Sequence, residues 1–221
     1  AAFAAIALAA GIATLTIAAR GQVRTWQNSE TLFLHAARVA GPNHMAQTYL
    51  AKYYYDLGNY DAAFSRAEEA LRIRAENPFA HDVLGMVHMQ RGNPEAALAQ
   101  FQMAAAIHEG DVRAPALQRL AVAHQALGNY AAAEGLYRES IEQAGAGGAV
   151  PDESFAGLLQ VLTATDRAED ALRIAPDFIA LRPESGELRM EAGNAAVRDG
   201  DSKLAELYFR EALEISPKLV S

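Results

Sequence analysis

The chain has 221 residues, no cysteine, and 19 basic against 27 acidic side chains, a net charge of −8. Without cysteine there are no disulfides and no thiolate metal sites. An acidic chain also argues against a nucleic-acid partner, because phosphate binding needs clustered Lys and Arg. The acidity is uneven. Residues 1–111 hold 8 basic and 10 acidic side chains, net −2, and residues 112–221 hold 11 and 17, net −6. Arginine far outnumbers lysine and alanine is abundant, the coding bias expected of a GC-rich bacterium.

Residues 1–19, AAFAAIALAAGIATLTIAA, carry no charge. As a helix they would span about 28 Å, against a bilayer core of roughly 30 Å. Arg20 and Arg24 follow, and Trp26 is suited to headgroup depth. A transmembrane helix is the expectation. A signal peptide is the rival, but it needs a basic leader before the apolar stretch. Only Phe3, Ile6, Leu8, Ile12, Leu15 and Ile17 are large, while Ala7 and Gly11 would let helix backbones approach closely. The segment is expected to be the last helix of a multi-pass region.

Residues 20–43 read as a juxtamembrane linker with an amphipathic helix over 25–40. Trp26, Leu32 or Phe33, Ala36 and Val39 fall at helical spacing. Asn28 or Ser29 is its expected N-cap, and Gly41-Pro42 its stop.

From residue 44 the chain repeats. Gly58 and Gly92 are 34 positions apart, and Gly128 and Gly200 stand in the same setting. That period is the sign of stacked helical hairpins. The repeats are 44–77, 78–111, 114–147, 152–185 and 186–219, with AGAGGAVP at 144–151 as a flexible joint. Each hinge glycine supplies the left-handed position that ends a first helix, and Asn59, Asn93, Asn129 and Asp201 can cap the second. In the fourth repeat Asp166 replaces the hinge glycine. The predicted helix pairs are 44–57/60–75, 78–91/94–108, 114–127/130–143, 152–165/167–181 and 186–199/201–215.

Small residues recur where paired helices must close up. Ala51, Gly85, Ala121 and Gly193 do so in first helices; Ala63, Ala97, Ala133, Ala171 and Ala205 do so in second helices. Ala70, Ala104, Ser140 and Ala212 follow two turns later. The fifth repeat shows Gly193, Gly200, Ala205, Phe209, Ala212 and Pro217 in order. By these residues the chain resembles the tetratricopeptide repeat (TPR) family over about 44–219. The resemblance implies an all-α, TPR-type α-solenoid of five helical hairpins, here preceded by one transmembrane helix. It implies a protein-binding scaffold rather than an enzyme.

A second resemblance covers roughly forty residues at the junction. A membrane helix, a basic pair and WQNSETLFLHAARVAGPN before the repeats are similar to TPR-bearing multi-pass glycosyltransferases of the protein O-mannosyltransferase type. Trp26, Ser29, Glu30, Leu32, Phe33, Ala37, Pro42 and Asn43 carry it. The catalytic acids of that family lie among earlier membrane helices, so no catalytic residue carries over. The resemblance places the repeats outside the cytoplasm, in the periplasm. Arg20 and Arg24 pull the other way, since positive charge favours the cytoplasmic side.

No constellation here suggests chemistry. His81 and His88 are two turns apart, too far for one metal, and HExxH is absent. AGAGGAV lacks the lysine and the preceding strand of a phosphate loop. No cofactor, no metal and no catalytic residue is expected.

The first helices of such repeats line a concave groove, where the family binds polypeptide. By family geometry the groove residues are Thr48, Lys52, Tyr55 and Asp56; Phe79, Asp82, Met86, Met89 and Gln90; Gln118, Val122 and Gln125; and Met190, Asn194 and Arg198. Aromatics and methionines make the N-terminal half the expected hot spot. A carboxylate clamp is not expected, because Met86 and Val122 stand where partners of Lys52 should. The chain therefore reads as a membrane-attached scaffold with a protein or peptide partner in its groove and the membrane as a second partner through 1–19. The alternative is a non-catalytic C-terminal accessory domain of a membrane glycosyltransferase, presenting the acceptor protein.

Overall fold

The structure is a computed structural model; it describes Leu15, Ala19 and residues 29–39, 42–108, 113–145 and 152–217. The predicted span 1–19 therefore lies outside the described residues, apart from Leu15 and Ala19, as do Trp26, Asn28 and most of the 144–151 joint. Among the described residues no helix is long and apolar enough to cross a membrane.

Eleven helices and no strand occur among the described residues. They are α1 Ser29–Val39, α2 His44–Asp56, α3 Tyr60–Ile73, α4 Pro78–Gln90, α5 Pro94–Ile107, α6 Arg113–Ala126, α7 Tyr130–Gly145, α8 Asp152–Ala164, α9 Ala168–Leu181, α10 Gly186–Asp199 and α11 Ser202–Ile215. The boundaries of the ten repeat helices fall within about two residues of the sequence expectation; of the helix expected over 25–40, the described part is Ser29–Val39, with Ser29 inside the helix rather than capping it. Five hairpins do not account for all of them: α1 is an additional helix, packed on α2. The chain divides into two compact units, 1–90 and 91–221.

Turn chemistry explains why the helices start and stop where they do. Gly58, Gly92, Gly128 and Gly200 all have positive φ, between 69° and 89°. Asn59, Asn93 and Asp201 then accept the backbone N–H of Ala62, Ala96 and Leu204, capping α3, α5 and α11. Asn43 and Ser185 cap α2 and α10 in the same way. The fourth repeat turns differently. Asp166 takes the left-handed conformation with φ 58°, and Arg167 at the N-cap makes no side-chain cap bond. Pro176 sits inside α9 without ending it.

The first unit is built on Ala51, Ala63, Ala67, Val83, Leu84 and Val87, flanked by Tyr54, Tyr55, Tyr60, Phe64, Leu71 and Met86. His88 packs edge-on to Phe64, with ring centroids 5.7 Å apart. The N-terminal helix joins this unit through two contacts. Phe33 stacks on Tyr49 at 4.8 Å, and the Tyr54 hydroxyl donates to Glu30 at 2.7 Å.

The second unit has a larger core. Tyr137, Phe155, Leu158, Leu159, Val161, Leu162 and Leu188 are buried around Ala121, Ala133, Ala171, Ala175, Ala192 and Ala195. The small residues permit the close approach. A Cβ on Gly193 would come 2.7 Å from Phe209 Cδ1, closer than real contacts allow. In the middle of the unit the Ser140 hydroxyl donates to the Ala114 carbonyl at 2.8 Å and lies 2.9 Å from that of Ser154, so a polar contact ties α6, α7 and α8.

Candidate binding groove

In the second unit the first helices α6, α8 and α10 run beside one another, with α8 touching both of the others. They line a trough. One cavity of about 600 Å³ is bounded by Gln118, Val122, Gln125 and Ala126 of α6, Glu153, Ala156, Gly157, Gln160 and Ala164 of α8, and Glu187 and Glu191 of α10. Tyr130 and Tyr137 of α7 complete it. A second cavity of about 370 Å³ adjoins, lined by Gln160, Thr163, Ala164, Glu191, Asn194, Val197 and Arg198. The two share Gln160, Ala164 and Glu191, so they form one trough.

A hydrogen-bonded chain of polar side chains crosses the floor. Buried Tyr137 donates its hydroxyl to Gln125 Oε1 at 2.8 Å, and Gln125 in turn donates to Gln160 Oε1. Burial pushes the Tyr137 phenol well above its ordinary range, so it remains a donor. The ring reaches this position because Gly157 has no side chain to block it.

The charge is one-sided at one end. Burial, and then repulsion from Glu153 and Glu191, raise the Glu187 carboxyl above the usual carboxylate range. Burial raises Glu191 too, while an Asn194 amide hydrogen bond at 3.2 Å partly opposes it. At the other end Arg198 pairs with Asp166.

Of the residues expected in the groove, Gln118, Val122, Gln125, Asn194 and Arg198 do line this trough. Met190 is half-buried on α10 and lines neither cavity. Sequence reasoning missed Gln160, Glu153, Glu187 and Glu191. The signal was available: with repeats starting at 114, 152 and 186, Gln160 has the register of Val122 and Asn194, and Glu153 that of Glu187.

The first unit places its expected groove residues differently. Thr48 is only 5% exposed; its hydroxyl donates to the His44 carbonyl and accepts from Asn77 Nδ2, both at 2.8 Å. Asp82 is 4% exposed. Neither has surface to offer a ligand. Met86 packs against the core, and Met89 is half-buried. Lys52 is exposed and bound to Asp56 at 2.6 Å. Gln90 and Tyr55 do meet: the Gln90 amide donates to the Tyr55 hydroxyl at 3.4 Å. Phe79 is exposed. A cavity in this unit lies elsewhere, against Gln47 of α2 and Ser65, Arg66, Glu68, Glu69 and Arg72 of α3.

Residues 45–76, 79–146 and 158–219 match models of the tetratricopeptide repeat. The chain is built of tetratricopeptide repeats. No curated protein matches it. Solved structures with the same fold include the MamA protein, at 19% identity and a TM-score of 0.62, over 80% of this chain and 93% of that one. YrrB, described as a TPR protein with an unusual peptide-binding site, aligns at 15% identity and a TM-score of 0.62, over 85% and 94%. PilF of Pseudomonas aeruginosa aligns at 17% identity and a TM-score of 0.66, over 78% and 76%. At these identities the likeness shows the fold alone. TPR folds are typically non-catalytic scaffolds. Among the described residues no three His, Asp or Glu could jointly hold a metal.

Proposed function

We propose that this chain is a protein-binding scaffold and that the α6–α8–α10 trough holds a segment of polypeptide. One observation carries the reading. Side chains from three successive repeats line one continuous open trough, with the amides of Gln118, Gln125, Gln160 and Asn194 along it. Amide side chains both donate and accept, which suits the alternating C=O and N–H of an extended backbone. The peptide-binding site of YrrB supports the reading by analogy of fold. Gln160→Ala with Gln125→Ala removes two of those amides at the centre. Loss of crosslinks from a photoreactive residue at Val122 to captured polypeptide, with helical circular dichroism unchanged, is the expected result. Undiminished crosslinking would reject the trough.

Attachment to a membrane through residues 1–19, with the repeats in the periplasm, is a second element of the proposal. The uncharged 19-residue stretch and the aromatic and basic residues after it support it. So does the packing of α1 on the first repeat through Phe33–Tyr49 and Glu30–Tyr54, which would hold the repeats close to whatever precedes them. The junction's likeness to TPR-bearing glycosyltransferases makes an accessory role, presenting acceptor protein, the more specific form. Protease treatment of intact spheroplasts tests the topology: loss of a C-terminal tag is expected, and protection beside a cleaved periplasmic control reverses it.

A further inference from the structure

We infer that the trough selects basic polypeptide, seating a lysine or arginine side chain of the bound segment among Glu153, Glu187 and Glu191. The inference rests on the trough being the peptide site and adds the chemistry of its occupant.

Three carboxylates from α8 and α10 line the 600 Å³ cavity. None forms an ion pair among the described residues, and six arginines of this unit pair with other carboxylates. Arg138 and Arg167 bind Glu134, Arg173 binds Asp170, Arg182 binds Asp152, Arg189 binds Glu211 and Arg198 binds Asp166. Arg198, at the far end of the trough, is thus taken up by Asp166, and Glu153, Glu187 and Glu191 have no ion-pair partner among the described residues.

First-turn placement accounts for Glu153 and Glu187, because acids favour a helix N-terminus. It does not account for Glu191. That residue sits in the second turn of α10, is only 8% exposed, and lines both cavities. Among the described residues its carboxylate has one hydrogen-bond donor, Asn194. A buried carboxylate without a cation is costly in the free protein, and a cation supplied by a ligand relieves that cost. The raised carboxyls of Glu187 and Glu191 report the same imbalance.

Among the described residues no group of three His, Asp or Glu side chains could hold a metal ion, these three included. A guanidinium or ammonium on a long stem reaches between separated carboxylates, its stem lying on Val122 and Ala156. Gln118 and the Gln160 amide nitrogen then face the backbone on either side, while Gln125 stays bound to Tyr137 and Gln160.

The test is phage display of a random dodecapeptide library on the full chain. Binders enriched in Lys and Arg are expected. A dominant binder, resynthesised, should lose at least tenfold in affinity to the Glu187→Gln, Glu191→Gln double variant. The same loss should follow when its basic residue becomes Gln, and binding should weaken with salt. Glu214→Gln on α11, outside the trough, should leave affinity unchanged. The Gln changes remove mutual repulsion and keep side-chain size, and circular dichroism checks that the helices persist. Binders without basic residues, or affinity indifferent to the double variant while Gln160→Ala abolishes it, would overturn the charge selection and leave the trough standing. Binders indifferent to Gln160→Ala as well, or no enriched binders, would overturn both.

Discussion

The Tyr137 ring of α7 lies across the bare Cα of Gly157 in α8. A Cβ at Gly157 would come 2.6 Å from both Cε1 and the hydroxyl oxygen of that ring. Tyr137 is 1% exposed and its hydroxyl is committed to Gln125, so it has no room to withdraw without breaking that bond. The floor of the trough and the packing of two repeats therefore depend on one missing methyl group.

Gly157→Ala should destabilise the second unit. Its φ lies outside the left-handed region, so sterics rather than backbone strain set the cost, about 1–3 kcal/mol for overpacking. Tyr137→Leu shortens the intruding group, and the alanine should cost less in that background. Thermal melts of the four proteins give the coupling. Equal losses in both backgrounds would show that the contact does not decide the glycine.

Asp166 holds a left-handed backbone that the equivalent glycines hold without strain. For a non-glycine residue that conformation costs roughly 1–2 kcal/mol, less for Asp, which can bond locally. The Arg198 ion pair offsets little of it, because both side chains are more than half exposed. Asp166→Gly should therefore stabilise by about 0.5–1 kcal/mol, raising the melting temperature by a few degrees. A lower melting temperature would mean that the Arg198 contact outweighs the strain.

Much of the fold was legible because its signals are local. Glycine hinges and asparagine caps act within a few residues, so helix ends could be read to about two positions. The cap bonds of Asn43 and Ser185 obey the same rule. The groove was less legible. Which face of a first helix is open depends on how its neighbours pack, and that is not local. Thr48 has the spacing of a groove residue, yet Asn77, at the far end of the same repeat, comes over it and buries it. Glu191 is acidic on a helix and reads as surface; only packing of α8 against α10 shows it enclosed. The fourth repeat has Asp166 in place of the hinge glycine, yet its start at 152 still gives Gln160 the register of Val122 and Asn194.

Glu191 gives the trough a pH signature. Burial raises its carboxyl in the folded state above the unfolded value. A raised carboxyl adds stability at low pH that is lost as pH rises through the folded pKa, because the native state must then ionise a buried group. Glu191→Gln cannot ionise. Its melting temperature relative to the parent should be near zero or negative below about pH 4, where the parent is protonated in both states. The difference should turn positive by pH 7. Equal shifts at both pH values would exclude ionisation as the cause.

Asn77 makes an opposite case, a polar side chain whose loss should be costly. It is 2% exposed, donates to Thr48 Oγ1 at 2.8 Å, approaches His44 Nδ1 at 3.3 Å, and accepts the Ala80 N–H at the start of α4. Asn77→Ala removes a helix cap, worth about 1 kcal/mol, and leaves Thr48 without its buried donor. The sum is about 2 kcal/mol. Thr48→Ala, which also removes the acceptor facing Asn77, should cost a similar amount or less, and the double variant less than the sum of the two. Hydrogen exchange should show the loss in α2 and α4 while α8 and α10 keep their protection, since stability in repeat proteins is largely set between neighbours. A uniform loss along the chain would show that the two units unfold as one.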